Sequence, residues 1–336
     1  MYDNTVFVSY ANAVFTEIRN TPLESLNTPS FRSGLLEALE AAESSTDDSG
    51  SHSHELRPIV ESYNVHFLPL DPVSLRSTQA SVYTFDGFPG LYLVRDFFTK
   101  EQCDALLLET LVDYINPPNN SNLYQNDPNV ATPFWPSPVF SKLRWATIGH
   151  MYDWGTRTYK GYTKFPGLLV DVTRDLLSHF NEDYIPDVCA AIINFYSKAY
   201  FLRLHKDDAE ETDDSVLNIS LGAPAIFMLG GTDHSTIPVS FVVESGSVVL
   251  MADKSRFCLH GIVKLLSYNK PGYQPSGGLP INLHDPLYGR PQLLKLIPQC
   301  GAHVFSNIVR DTAAITRIRE ISNDLRVSIS IRRAKR

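Results

Sequence analysis

The chain has 336 residues, a formal net charge of −8, 43% hydrophobic residues and 20% charged residues. That length suits one large domain with extensions or two ordinary domains, and the apolar content excludes a globally disordered chain. No apolar run approaches the roughly 18 residues of a membrane span, and the acidic balance argues against a general nucleic-acid binder, because phosphate contacts need local Lys and Arg.

The N-terminal part predicts an acidic extension over residues 1–75 that is partly disordered. Residues 1–60 hold nine Asp and Glu against three Lys and Arg, whereas the rest of the chain is close to neutral. Residues 34–42 predict a short helix, and the serine-rich run over 43–54 predicts a flexible linker. We therefore expect the main domain to cover 76–336.

The next part of the chain predicts mainly helices and loops. Residues 91–94 predict a strand, and Thr99 with Gln102 has the spacing of a helix capping box. Residues 116–138 are rich in Asn and Pro and predict a long loop. A further helix is predicted near 168–180.

From residue 189 onward, short β-type runs dominate, and Gly-Gly or Ser-Gly separates several of them. The runs cover 189–196, 200–205, 215–221, 224–229, 238–244, 247–252, 256–262 and 325–332. Many short strands after helical material indicate an α+β fold with a sandwich or jelly-roll core and helices outside it. Residues 267–316 predict an insertion before the last strand.

Two histidines and one aspartate in this β-rich part have the pattern of a metal site. His205 and Asp207 stand at a strand end, where the two-residue period puts both on one face, and His260 lies in a later strand. Two imidazoles and a carboxylate can occupy one face of an octahedral metal, as in non-haem Fe(II) oxygenases. Each residue alone is more often structural, so the ordered set carries the inference.

The strand near the C-terminus places two arginines on one face. Arg326, Ser328, Ser330 and Arg332 alternate with three β-branched residues. An interior arginine is costly unless an anion meets it, so the pair predicts a bound dicarboxylate such as 2-oxoglutarate. The alternative interpretation is a solvated strand face.

Together these motifs resemble the AlkB family of Fe(II)/2-oxoglutarate-dependent dioxygenases over residues 88–336. The motifs that carry the resemblance are Ile193-Asn194-Phe195-Tyr196, His205-x-Asp207, Ser220-Leu221-Gly222-Ala223-Pro224-Ala225-Ile226-Phe227, Ser255-Arg256-Phe257-Cys258-Leu259-His260-Gly261 and the run from Arg326 to Arg332. Within the family, residues 142–154 and the long insertion are most similar to the branch of the first vertebrate AlkB homologue.

The resemblance implies a double-stranded β-helix (jelly roll) over 189–336, flanked by N-terminal helices. It implies that three residues bind iron, namely His205, Asp207 and His260. It further implies that Asn194, Tyr196, Arg326 and Arg332 hold 2-oxoglutarate, with O2 as the co-reactant. Two positions depart from the family pattern: Ser328 stands where Asn is typical, and Ala209 where some members have an Asp near the substrate.

The implied reaction is oxidative demethylation of a nucleic-acid base, which releases formaldehyde and succinate. Methyladenine in tRNA or another RNA is the first candidate, and methyladenine in DNA is the second. Residues 133–175 would recognise the nucleotide, because the stretch 142–174 interleaves cations with aromatic rings. The candidate substrate contacts are Lys142, Arg144, Trp145, Tyr152 and Trp154, against the plainer interpretations of core packing and solvated charge.

Two other functions remain open at this point. One is a dioxygenase that acts on a protein side chain, such as a histone residue. The other is a catalytically silent module that binds methylated RNA, although the intact metal and arginine set argues against it.

The remaining features concern location and partners. The acidic start resembles neither a secretory signal nor an Arg-rich mitochondrial transit peptide, so we expect a protein of the cytoplasm or nucleus. Four isolated cysteines without a CxxC pair predict reduced thiols. We expect a monomer that binds nucleic acid and no membrane.

Overall fold

The computed structural model describes residues 10–44, 53–66, 78–180, 189–197, 200–232, 236–266, 289–306 and 312–335. The helices are α1 (Tyr10–Asn20), α2 (Pro29–Ser44), α3 (Ser53–Ser62), α4 (Lys100–Glu109), α5 (Asn122–Asn126), α6 (Gly167–Ser178) and α7 (Thr312–Ile321). The strands are β1 (Val65–His66), β2 (Gln79–Phe85), β3 (Leu91–Arg95), β4 (Asn120–Ser121), β5 (Trp145–Asp153), β6 (Thr158–Tyr162), β7 (Cys189–Tyr196), β8 (Val216–Gly222), β9 (Ala225–Leu229), β10 (Val239–Val243), β11 (Val248–Met251), β12 (His260–Leu265), β13 (Pro291–Pro298) and β14 (Arg326–Arg333).

Two sheets share an apolar interior. Among the described residues, the smaller sheet has the order β1-β10-β9-β12, and the larger one has ten strands in the order β13-β2-β3-β11-β8-β14-β7-β5-β4, with β6 paired to β5. Leu93 and Met251 of the larger sheet belong to the same buried cluster as Phe227 and Phe241 of the smaller one. This is a jelly-roll core, and the predicted α+β fold is confirmed.

The last strand of the chain lies in the middle of the larger sheet. β14 pairs with β7 so that Ser328 lies opposite Asn194, and with β8 so that Ser330 lies opposite Asn218. Since strand side chains alternate with a period of two, the polar residues of β14 all face the same way. Three strands therefore bring their polar side chains to one place.

Helices α4 and α6 pack against the other face of the larger sheet. Leu106 and Val172, one from each helix, share a buried cluster with Ile329 of β14. The predicted capping box is present at the start of α4, where the backbone N–H of Gln102 donates to the Thr99 hydroxyl and the Gln102 side chain accepts from the Thr99 backbone.

The N-terminal helices α1, α2 and α3 pack against the smaller sheet. Ile18 and Leu39 are fully buried in one cluster with Ile226 and Met228 of β9. In the predicted N-terminal extension, residues 10–44 and 53–66 contain these helices and share a core with the sheets. The physical reason is that β9 is buried on both faces, so its outer face needs an apolar cover. Most of the predicted linker, 45–52, lies outside the described residues, as do 1–9 and 67–77.

Two predicted strands differ from the structure. Residues 200–205 form only isolated bridges at their two ends, and the strand predicted over 256–262 begins at His260. Arg256 causes the second difference, because its buried guanidinium turns inward to donate to two backbone carbonyls.

The predicted insertion 267–316 contains β13, which pairs with β2 at the sheet edge, and the start of α7, while 267–288 and 307–311 lie outside the described residues.

Two general expectations can be compared with the described chain. None of its helices combines the length and the hydrophobicity that crossing a membrane requires. All four cysteines are buried free thiols, as predicted.

The packing of α2 generates a stability prediction. We expect Leu39→Ala to lower the free energy of unfolding by about 2–5 kcal/mol, because it leaves a cavity in a fully buried cluster. Glu37→Ala, on the exposed face of the same helix, is the matched control and should change it by less than about 0.5 kcal/mol. Chemical denaturation measures both, and equal stability of the two variants would contradict the shared core.

Candidate active site

Two backbone hydrogen bonds hold the predicted metal ligands together. The N–H of His205 donates to the carbonyl of His260 at 3.1 Å, and the reverse bond measures 2.9 Å. The two imidazole centroids consequently lie 4.5 Å apart. Asp207 reaches the same point, with its carboxylate oxygens 3.9 Å and 3.6 Å from Nε2 of His205 and His260. The structure therefore brings together the three residues that the sequence placed 55 positions apart at most.

Backbone carbonyls fix the tautomers of both histidines. Nδ1 of His205 lies 3.0 Å from the carbonyl of Arg203, and Nδ1 of His260 lies 3.1 Å from that of Cys258. A carbonyl only accepts, so each Nδ1 carries the proton and each Nε2 offers its lone pair to a metal. Burial, followed by the neighbouring His205, lowers the pKa of His260 to about 4, so this imidazole is neutral at physiological pH.

The three side chains fit a divalent cation. One ligand atom from each residue lies within 4.8 Å of the other two. Oδ2 of Asp207 is buried and accepts no hydrogen bond within the described residues, so it has a free lone pair beside two free imidazole nitrogens. Two imidazoles and one carboxylate that leave further positions open suit Fe(II). When bound, the iron supplies the O2 activation that protein side chains lack.

A buried arginine holds the metal carboxylate in place. Nη1 of Arg332 lies 2.8 Å from Oδ1 of Asp207 and 3.3 Å from Oε1 of Glu210. Burial alone would raise the pKa of Asp207, but Arg332 and the two histidines outweigh it and hold the pKa well below its usual range. Asp207 is therefore ionised and oriented in the protein itself, ready to serve as a ligand.

Glu210 connects this centre to two further elements. Its Oε2 lies 2.9 Å from the buried guanidinium of Arg256, and its Oε1 accepts from the hydroxyl of Tyr159 on β6 at 2.5 Å. Burial alone would raise the pKa of Glu210, but Arg332 reverses that effect and the net pKa is lowered. Tyr159 is thus a buried residue of this hydrogen-bond network.

A cavity of about 290 Å³ opens over the metal ligands. Three of the four predicted 2-oxoglutarate residues line it, namely Asn194, Tyr196 and Arg332. The fourth, Arg326, is 1% exposed and donates to the Ser220 hydroxyl at 2.9 Å. Burial raises the pKa of the Tyr196 phenol, and the positive charge of Arg326 acts in the opposite direction. Charged and polar donors therefore surround one side of the cavity, as a dicarboxylate requires.

Aromatic rings form another part of the cavity wall. Trp145, Tyr152 and Trp154 line it, and the rings of the two tryptophans lie 3.8 Å apart between centroids. Tyr152 meets Trp154 edge-on at 4.9 Å. Trp154 is 39% exposed, so its ring is accessible from solvent. The predicted aromatic contacts are consequently at the mouth and wall of the metal cavity.

The predicted cationic contacts lie at its edge. The Arg144 guanidinium lies over the ring of Tyr200, which lines the cavity, at 5.0 Å from its centroid. Lys142 is exposed two residues earlier. Within the part of the chain that the structure describes, neither cation pairs with a carboxylate. Arg157, by contrast, pairs with Asp208 at 2.9 Å.

Sequence reasoning missed Glu210, Arg256 and Asn218. Glu210 belongs to the acidic run 207–214, which the sequence presents as a block of like charge. In the structure the run is neutralised by cations from distant segments, as in the pair between Glu211 and Lys335 at 2.5 Å. Arg256 stands inside the motif that also contains His260, so its position was a usable signal, but its partners were not readable from the sequence.

Removal of the carboxylate ligand tests the metal site. We expect Asp207→Ala to weaken Mn(II) binding by more than about 100-fold, since even the outer-sphere partners of metal ligands contribute about 10- to 100-fold. The electron paramagnetic resonance signal of free Mn(II) measures the affinity. The control is Asp208→Ala, which removes an exposed neighbouring carboxylate and should bind Mn(II) as the wild type does. Equal loss in both variants would contradict the assigned triad.

A family model for the 2OG-Fe(II) oxygenase superfamily matches residues 90–285. The matched range contains all three candidate metal ligands. Members of this superfamily use Fe(II), 2-oxoglutarate and O2, so the cofactor set predicted from the sequence is confirmed.

Three curated relatives show where in the superfamily the chain lies. "tRNA demethylase abh1" of Schizosaccharomyces pombe is 27% identical over 252 residues, which cover 62% of this chain and 81% of that one. "Nucleic acid dioxygenase ALKBH1" of Homo sapiens is 28% identical over 250 residues, 68% of this chain and 61% of that one. "N6-methyladenosine RNA demethylase ALKBH" of Cryphonectria parasitica is 30% identical over 170 residues, 47% of this chain and 74% of that one. Together with the geometry of the triad, these matches show that the chain belongs to the 2OG-Fe(II) oxygenase superfamily and, within it, to the AlkB family.

Proposed function

We propose that this dioxygenase removes N-methyl groups from nucleic-acid bases, with methyladenine in tRNA or another RNA as its first substrate class and DNA as the second. The observation that carries the proposal is that one cavity contains both the metal triad and an aromatic wall of Trp145, Tyr152 and Trp154. A base that leaves its stack needs such a wall, because its ring must be held between other flat surfaces. The names of the three relatives, which act on tRNA, nucleic acid or RNA, support it.

The charge around the cavity supports a nucleic-acid substrate as well. Lys142 and Arg144 precede the aromatic wall on the chain and pair with no carboxylate among the described residues. Lys142 is exposed, and the guanidinium of Arg144 donates to the backbone carbonyls of Ser141 and Leu143. Both cations can therefore meet phosphates beside a base that stacks on the wall. The acidic run after Asp207 presents less repulsion than its composition indicates, because Asp214 pairs with Arg333 and Glu211 with Lys335.

The proposed reaction consumes one O2 and one 2-oxoglutarate for each methyl group that is removed. One atom of O2 enters the carboxylate of succinate as 2-oxoglutarate loses CO2, and the other becomes the hydroxyl of an N-hydroxymethyl group. That group then loses formaldehyde, and the base nitrogen regains its proton. Two electrons come from 2-oxoglutarate and two from the methyl group, so no further reductant is needed.

The protein's own residues position the reactants and exclude water. Arg332, Tyr196 and Trp145 all line the cavity. His205, Asp207 and His260 would hold the iron that supplies the oxidation, while the other lining residues would hold the cosubstrate and the methylated base beside it. Such positioning is the protein's main contribution when a cofactor supplies the chemistry.

The direct test is turnover of a substrate panel. The protein is incubated with Fe(II), 2-oxoglutarate and methylated oligomers of RNA and DNA, and mass spectrometry follows the bases while formaldehyde is measured separately. We expect demethylated adenine and formaldehyde in equal amounts, with RNA the better substrate. Product from methylated peptides alone would replace this proposal with a protein substrate, and RNA binding without any turnover would indicate a silent binding module.

The aromatic wall generates a variant test. We expect Trp154→Ala to weaken binding of a methylated RNA oligomer by at least about fivefold, because stacking of one base on an aromatic ring contributes about 1–3 kcal/mol. Trp154 is 39% exposed, so its removal should leave the fold intact. The control is Leu294→Ala, an exposed apolar residue on the edge strand β13 that does not line the cavity. Equal RNA affinity of both variants would exclude Trp154 as a substrate contact.

A further inference from the structure

Asn218 is a buried polar residue that none of the sequence motifs contains. It lies in the middle of β8, is 7% exposed and lines the metal cavity. The strand register places it opposite Ser330 of β14. An amide in the centre of a sheet is costly to bury unless its donors and acceptor are used.

The hydrogen-bond network fixes which way the amide points. Nη2 of Arg332 donates to the Ser330 hydroxyl at 2.5 Å, because a guanidinium can only donate. The Ser330 hydroxyl therefore donates its own hydrogen bond to Oδ1 of Asn218, which lies 2.7 Å away. Nδ2 is left as the free end of the amide, and it has no hydrogen-bond partner within the described residues. An unused N–H donor consequently belongs to a residue that lines the cavity.

The position of this donor relative to the arginines defines what it can meet. Ser220, two residues further along β8, accepts from Arg326. Asn218 is linked through Ser330 to Arg332, which contacts the metal ligand Asp207. The free amide therefore belongs to the metal end of the cosubstrate side, one strand step away from Arg326.

We infer that the Nδ2 of Asn218 donates a hydrogen bond to 2-oxoglutarate at its metal-proximal end, on the carboxylate next to the keto group. This inference rests on the 2-oxoglutarate chemistry of the proposed function. It also accounts for Ser328, where the family resemblance implies an asparagine. Ser328 lies on the neighbouring strand β14, opposite Ser220, and its hydroxyl has a shorter reach than an amide. Asn218 supplies the amide donor from across the strand pair.

Binding in the absence of nucleic acid tests the assignment. Mn(II) is loaded into the full-length protein, and 2-oxoglutarate is titrated by calorimetry without O2. Asn218→Ser removes Nδ2 and keeps a hydroxyl that can accept from Ser330. We expect its dissociation constant for 2-oxoglutarate to rise about ten- to hundredfold, which is typical of a lost hydrogen bond to a charged group. Mn(II) affinity and thermal stability should remain those of the wild type.

4-Oxopentanoate, which has a methyl group in place of the carboxylate next to the keto group, separates binding from packing. We expect Asn218→Ser to change 4-oxopentanoate binding by less than about twofold, since the proposed contact is to the carboxylate that this ligand lacks. The matched control is Thr147→Val, which removes another buried hydroxyl without a partner, on β5 and away from the cavity. It should leave both dissociation constants unchanged.

Two results would overturn the inference. One is an unchanged dissociation constant for 2-oxoglutarate in Asn218→Ser, and the other is an equal loss for 2-oxoglutarate and 4-oxopentanoate. Because no nucleic acid is present, a failure here is distinct from a failure of the substrate panel, which concerns demethylation.

Discussion

The guanidinium of Arg332 lies fully buried between the carboxylates of Asp207 and Glu210, and the active site is arranged around this contact. None of these charges could be buried alone, because the cost of removing one ion from water exceeds what an imperfect partner returns. Arg256 completes the set by pairing with the other oxygen of Glu210. The carboxylate of Asp207 is thus held by a set of buried charges. Removal of any one of them would leave another buried charge without its partner.

This requirement explains the topology around the site. Arg332 comes from β14, which has to enter the larger sheet between β7 and β8 for its polar face to meet the loop after His205. The same strand order aligns the polar residues of three strands on the cosubstrate side of the cavity. The N-terminal helices complete the arrangement from the other side, since they cover the outer face of the sheet that carries His260. Trp154, which lines the cavity, is 39% exposed, so solvent reaches the cavity on the side of the tryptophans.

Much of this could be predicted from local patterns. The strands, the capping box and the triad follow from alternation, spacing and the order of His, Asp and Arg along the chain. The apolar run Ala225–Leu229 predicted a strand, and in the structure this strand is buried on both faces and covered by α1, α2 and α3. The acidic side chains of these helices that the structure describes lie on exposed or half-buried faces, so composition alone suggested an extension where a packed layer exists.

The parts that could not be predicted depend on partners far apart in sequence. Glu210 is one of several acids in a row, and nothing local distinguishes it from Glu211, which pairs at the surface. Arg256 interrupts a predicted strand because its guanidinium is needed inside. The role of Asn218 depends on the register between β8 and β14, and a register is a property of the folded sheet.

The triad and the polar cavity wall are expected to form one centre that binds metal and 2-oxoglutarate together. Anaerobic absorption spectroscopy tests it most directly: Fe(II) is added to the protein, followed by 2-oxoglutarate. We expect a visible charge-transfer band when Fe(II) and 2-oxoglutarate are both present. We expect no band when succinate, which lacks the keto group, takes the place of 2-oxoglutarate. No band with 2-oxoglutarate, or the same band with succinate, would contradict it.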